Sequence, residues 1–193
     1  MSSLYPTRWF SHLTPLQTPQ QFMAVRDSAY SLLVGKLQAM GMIPSDFDIR
    51  TLTPDDLKRV DPNCGFYEEW RVSLGHLKNT DGVTGNRVVD GIVPEHRYIV
   101  FYGASIESPR YVVPETRLIF RNGANIKNIW FLTEMCAGGF RRFTSDIMPL
   151  YGSRDRMTIE LATVKNTQLI VDQLFGLIAE PLASTITGSQ IRA

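Results

Sequence analysis

Arg97-Tyr98-Ile99-Val100-Phe101-Tyr102-Gly103-Ala104-Ser105-Ile106 is the stretch on which the fold turns. From Tyr98 to Tyr102 it is apolar at odd and even positions alike, and in an extended chain successive side chains point to opposite faces. A strand of that kind must be covered on both sides, so the segment reads as a central buried strand.

Strand signals continue downstream. Thr116 to Arg121 alternates with Leu118 and Phe120 on one side, and Asn122-Gly123 then turns the chain toward Ile126 to Met135. This is the strongest hairpin signal in the chain, with a four-residue connection over 122–125. Met157, Ile159 and Leu161 alternate between Arg156 and Val164. Residues 168–179 carry two signals: Val171, Leu174, Phe175 and Ile178 fit a helix face, whereas Asn166-Thr167 fits a β-turn leading into a strand. The strand is the favoured reading, because the segment follows another strand through a turn.

Upstream, Phe66, Trp70, Val72 and Leu74 share one face of a strand, and Tyr67, Glu69, Arg71 and Ser73 take the other. Residues 78–91, rich in Asn, Asp and Gly, read as a long exposed loop. At least five strands joined by turns rather than helices imply a mainly β fold. The expected body is an antiparallel β-sandwich of jelly-roll type, with an N-terminal α-helix and extended terminal arms.

Thr18-Pro19-Gln20-Gln21 starts that helix: Thr18 caps, Pro19 suits a position whose N–H has no partner, and Gln21 completes a capping box. The helix should run to Met40, with Phe22, Val25, Ala29, Leu32, Leu33 and Met40 as one apolar stripe and Gly41 as its left-handed cap. Thr53-Pro54, with Asp55 and Asp56 in the first turn, marks a second, short helix. Four segments result: an extended arm 1–17, a helical region 18–63 packed on the β body, a sandwich 64–180 and a polar tail 181–193. The arm carries Trp9, Phe10, Leu13 and Leu16 with no regular period, so it either wraps its own domain or crosses to a neighbour.

Composition excludes several classes. With 20 Lys and Arg against 19 Asp and Glu, the net charge of +1 lacks the basic excess of a nonspecific nucleic-acid binder, so nucleic acid is not an expected partner. At 193 residues the chain can bury about 70% of its unfolded surface without staples. The 2 cysteines, Cys64 and Cys136, are too few for a disulfide scaffold and are expected as free thiols. No run approaches the roughly 20 apolar residues of a membrane span, and no secretory signal opens the chain, so the protein is expected to be cytosolic when made.

Chemistry-bearing clusters are sparse. His12, His76 and His96 are far apart, short of the ligand set a metal site needs. Cys136 before Ala137-Gly138-Gly139 has the look of a nucleophile beside an oxyanion loop, but no histidine adjoins it, and a strand-end cysteine before a glycine turn is the favoured reading. Ser105 lacks a nucleophile elbow, Gly82, Gly85 and Gly91 lack phosphate-loop spacing, and Glu68-Glu69 point to opposite strand faces. No catalytic residue, cofactor or metal is expected. The loop 140–156 gathers Phe140, Arg141, Arg142, Phe143, Tyr151, Arg154 and Arg156, the composition of a protein interface; an ordinary solvated loop with Phe143 in the core is the alternative.

Val113-Pro114-Glu115-Thr116-Arg117-Leu118-Ile119-Phe120-Arg121-Asn122-Gly123 entering a strand, and Val164-Lys165-Asn166-Thr167 leading to Val171-Asp172 and Phe175-Gly176, give Pro94 to Ala179 a style that resembles small β-sandwich structural proteins of bacteriophage virions. Those are capsid cement, penton or tail accessory subunits. The resemblance covers under half the chain and carries no functional residue across. It implies a non-enzymatic virion subunit whose partners are copies of itself or other structural subunits. The expected contact residues are Trp9, Phe10, Leu13, Phe140, Arg141, Arg142, Tyr151, Arg154 and Ile191. A carbohydrate-binding sandwich using Trp70, Tyr102, Tyr111 or Trp130 is the alternative, and a β-barrel enzyme a third.

Overall fold

A computed structural model describes residues 13–66, 72–73, 86–107, 117–132, 141–162 and 170–182. The strands are β1 (Leu13–Pro15), β2 (Phe47–Thr51), β3 (Val72–Ser73), β4 (Asn86–Ile92), β5 (Tyr98–Glu107), β6 (Arg117–Asn122), β7 (Asn125–Phe131), β8 (Arg142–Ser145), β9 (Leu150–Tyr151), β10 (Arg156–Ala162) and β11 (Ile170–Pro181). The helices are α1 (Pro19–Ala39) and α2 (Pro54–Val60), with a 3-10 turn at Pro44–Asp46.

Two antiparallel sheets face each other. One has the order β1-β8-β5-β11-β2, with β3 on β11 and β9 on β5; the other has the order β4-β10-β6-β7. Between them lies the main core: Ile99, Phe101 and Ala104 of β5, Phe143 of β8 and Leu174 and Ile178 of β11 meet Val89 of β4, Leu118 and Phe120 of β6, Trp130 of β7 and Ile159 of β10. Aromatic rings dominate it, Phe120 and Trp130 lying 4.5 Å apart between centroids and Trp130 standing edge-on to Phe143. The body is therefore mainly β and sandwich-like, as its alternating segments require.

The central strand is β5. Its two faces serve two different cores: Ile99 and Phe101 face the sandwich, while Tyr98, Val100 and Tyr102 pack with Ala29, Leu33 and Leu37 of α1. This second core makes a third layer, helix on sheet on sheet. α1 is capped as its sequence demands: Thr18 Oγ1 accepts from the Gln21 N–H at 3.2 Å, and Gln21 Oε1 accepts from the Thr18 N–H at 3.2 Å. Gly41 ends it at φ 73°.

The buried stripe of α1 differs from its expected membership. Ala29, Leu33 and Leu37 are fully buried, whereas Leu32 and Met40 are 42% and 54% exposed. At 100° per residue Leu32 falls on the flank of the helix, and Met40 is the C-cap, where the chain has already turned away.

Of the segment 168–179, the described residues 170–179 resolve as strand within β11, which pairs with β5 and β2. The β6–β7 hairpin is tighter than expected: Asn122 pairs with Asn125, leaving a two-residue loop with Gly123 at φ 58°, the residue such a primed turn needs first. Residues 86–91, expected within a long loop, form most of β4, because Val88 and Val89 are both buried and recruit the segment to the sheet. Residues 142–145 and 150–151, inside the expected loop 140–156, form β8 and β9 on either side of a short turn. Inside the region read as helical, Phe47–Thr51 forms β2. The strand read around 66–74 lies outside the described residues except for Phe66, Val72 and Ser73.

Candidate functional site

The expected contact residues separate into three groups. Trp9, Phe10, Phe140 and Ile191 lie outside the described residues. Leu13 and Tyr151 are corrections: they are 5% and 0% exposed, and both belong to the protein's own sandwich core. Leu13 is held there because β1 pairs with β8 in the register Leu13↔Ser145, and the Leu16 N–H donates to the Arg142 carbonyl at 2.9 Å. So residues 13–16 wrap their own domain. Burial, reinforced by nearby Asp155, drives the Tyr151 hydroxyl well above the usual tyrosine range, and no described group bonds to it. Arg141, Arg142 and Arg154 are exposed, with Arg154 paired to Glu95 and set at φ 64° in a turn.

The sugar-stacking set also loses members. Tyr102 and Trp130 are 2% and 0% exposed, and burial pushes the Tyr102 hydroxyl up to about 12. Trp70 and Tyr111 lie outside the described residues. Among the described residues no three His, Cys, Asp or Glu side chains converge as metal ligands, and no helix is long and apolar enough to cross a membrane. Ser105 is a buried β5 residue. Cys64 is a free, half-buried thiol, raised by burial.

Charge is spent on holding the fold together. Arg50 of β2 grips Asp56 at 2.8 and 2.7 Å and Glu180 at 2.8 Å, tying α2 to the β2–β11 edge. Burial pushes the Asp56 carboxyl upward, but hydrogen bonds from Arg50 and from the hydroxyl and N–H of Thr53 outweigh it and hold the group below the usual carboxylate range. On the outer face of the four-stranded sheet, Asp90 accepts from Arg156, Arg87 and Thr158, and Glu160 accepts from Arg121. Hydrogen bonding from Arg156 leads the lowering of the Asp90 carboxyl. Each acid is matched to arginines that already serve it, so neither cluster holds a spare reactive group.

The described sheet edges are blunted against strand addition. β1 has only three residues and includes Pro15, and β2 carries Asp48 and Arg50. The β4 edge is spent on Gly65, whose N–H donates to the Val88 carbonyl at 2.6 Å, and on Asp61, which accepts from the Asp90 N–H. On β7 the Ile129 N–H turns to the Asn128 side chain at 2.8 Å.

What remains is the outward side of α1. Opposite the buried Ala29, Leu33 and Leu37 run Ala24, Ser28, Ser31 and Gly35, all exposed. The hydroxyls of Ser28 and Ser31 donate back to the carbonyls of Ala24 and Asp27, at 3.0 and 2.9 Å, so the outward polar groups of this side are those of exposed Gln20, Asp27 and Gln38. Of the eight large hydrophobics more than a third exposed among the described residues, five lie on this helix or the turn after it: Met23, Tyr30, Leu32, Met40 and Ile43. Only Arg26, Asp27 and Lys36 are charged along its 21 residues. In the sequence the feature is the spacing of Ala24, Ser28, Ser31 and Gly35, on the side opposite the apolar stripe.

No family model, curated relative or solved structure matches this chain.

Proposed function

We propose that this protein is a structural assembly subunit, of the capsid or tail accessory kind found in bacteriophage virions, acting through contacts with copies of itself or with other structural subunits rather than by catalysis. The observation that carries this reading is the outward side of α1. A surface helix normally sets charged residues opposite its buried stripe, and this side of α1 carries a single one, Asp27. Here one side rests on β5 and β11, and the other shows Ala24, Ser28, Ser31 and Gly35 flanked by exposed Met23, Tyr30 and Leu32. Blunted sheet edges direct association to a face rather than to strand addition. The virion setting rests on the sequence resemblance between Pro94 and Ala179.

Light scattering across a concentration series, on the chain alone and with co-expressed structural subunits, tests the proposal. Association is expected, and Ala24→Glu combined with Ser31→Glu should abolish it with an unchanged circular dichroism spectrum. A specific contact buries at least about 1,000 Å² in total, so it should survive moderate salt. A chain that stays monomeric at every concentration and with every subunit would refute the assembly role.

A further inference from the structure

Beyond the first turn of α1, the helix-facing side of the larger sheet carries a polar cross-strand row. Ser105 of β5 pairs with Arg142 of β8 on one side and with Gln173 of β11 on the other. A cleft of about 410 Å³ opens here, walled by Leu16, Gln17, Thr18 and Pro19 and lined by Phe22, Met23, Arg142, Gln173 and Phe175. That volume lies in the range of small-ligand sites, about 300–1,000 Å³.

The floor is aromatic and apolar. Phe22 stands edge-on to Phe175 at 5.3 Å, and Tyr102 stacks behind Phe175 at 6.1 Å. Thr18 and Gln21 are already occupied with each other in the helix cap. Arg142 is different. Among the described residues it is the one charged side chain lining the cleft, and its guanidinium has no ion pair or hydrogen bond. A single fork of donors matches a planar carboxylate in bidentate fashion, and the aromatic floor beside it favours an anion that carries an apolar stem.

We propose that this cleft binds a monocarboxylate on a compact apolar stem, the carboxylate seated on Arg142 and the stem on Leu16, Phe22 and Phe175. Gln173 lies within the same row to orient the second oxygen. The site shares Met23 with the flank of the outward face of α1, but the pairing with Arg142 does not depend on the assembly role.

The test is a titration of the intact chain with 3-phenylpropanoate, followed by nitrogen–proton correlation spectra. Saturable shifts are expected at Leu16, Gln17 and Gln173 and at the Arg142 side chain. Affinity should be at least about tenfold above that of 3-phenylpropanol, the loss a charge-assisted pair confers. Arg142→Met should erase that preference while leaving weak binding of the alcohol, because Arg142 is exposed and the variant loses no side-chain hydrogen bond or ion pair among the described residues. Inorganic phosphate should compete poorly. A capped Phe-Glu peptide separates the two sources of the same chemistry: binding it in preference to the free acid points to a partner's acidic side chain, and the reverse to a free metabolite-sized acid. Absence of saturable shifts with either, equal affinity for acid and alcohol, or an Arg142→Met variant that keeps its preference would overturn the proposal.

Discussion

Replacing Gly35 with alanine probes the outward side of α1 in a single chain. Gly35 sits inside the helix, and a Cβ built there meets nothing within 4 Å. Glycine inside a helix costs roughly 0.5–1 kcal/mol relative to alanine, mostly through the freedom it loses on folding. With no atom to clash, the whole gain should appear in the isolated chain. For a protein of 193 residues, about 1 kcal/mol corresponds to roughly 2–4 °C in Tm, so Gly35→Ala should raise Tm by about 1–4 °C. The assay is thermal and urea unfolding of dilute protein by circular dichroism, with an unchanged urea slope. Gly35→Trp, at the same open position, should leave the dilute chain folded and lower its association in light scattering. A fall in Tm for Gly35→Ala would refute the geometry, and undiminished association of Gly35→Trp would remove this face from the interface.

Three further outcomes follow from the interior. The Tyr151 hydroxyl is buried without a described partner, so Tyr151→Phe should be neutral or stabilise by about 1 kcal/mol in urea unfolding; a loss of over about 1 kcal/mol would mean a bound water or partner there. Gly103→Ala brings a Cβ to 2.2 Å from the Phe143 carbonyl, where backbone must move, and should cost at least about 2 kcal/mol by the same assay; a neutral variant would refute the close β5–β8 approach. Asp56 titrates below its unfolded value, so the unfolded chain takes up the proton first on acidification. Its contribution is complete above about pH 5 and falls away as pH drops through the folded value. Asp56→Asn should therefore cost about 2–3 kcal/mol at pH 7, near the low end for a broken buried pair because Arg50 is 32% exposed, and the gap should narrow below about pH 4. A gap that is constant with pH would contradict the ion pair.

Local signals carried most of the secondary structure. The caps at Thr18 and Thr53, the left-handed Gly41 and the Asn122-Gly123 turn depend on groups within four residues of one another, so adjacent letters determine them. β4, β8 and β9 were lost inside expected loops for the opposite reason. Strands of two to seven residues are too short to show an alternation of their own, and in β4 Val88 and Val89 are set among Asn86, Arg87, Asp90 and Gly91, which read as loop formers until a neighbour offers backbone bonds.

The contact residues show the same division. Arginine and aromatic letters in one stretch suggested an interface, yet Phe143 and Tyr151 are buried in the core while Arg142 is exposed, since β-strand alternation separates Arg142 from Phe143. By itself the sequence determined that Tyr98 to Tyr102 must be covered on both faces, because a pleated strand with no polar face cannot meet water. Only the tertiary structure decided what covers it: the second sheet on one side and Ala29, Leu33 and Leu37 of α1 on the other. Burial of one side of a helix depends on partners dozens of residues away, and so does the exposure left on its other side.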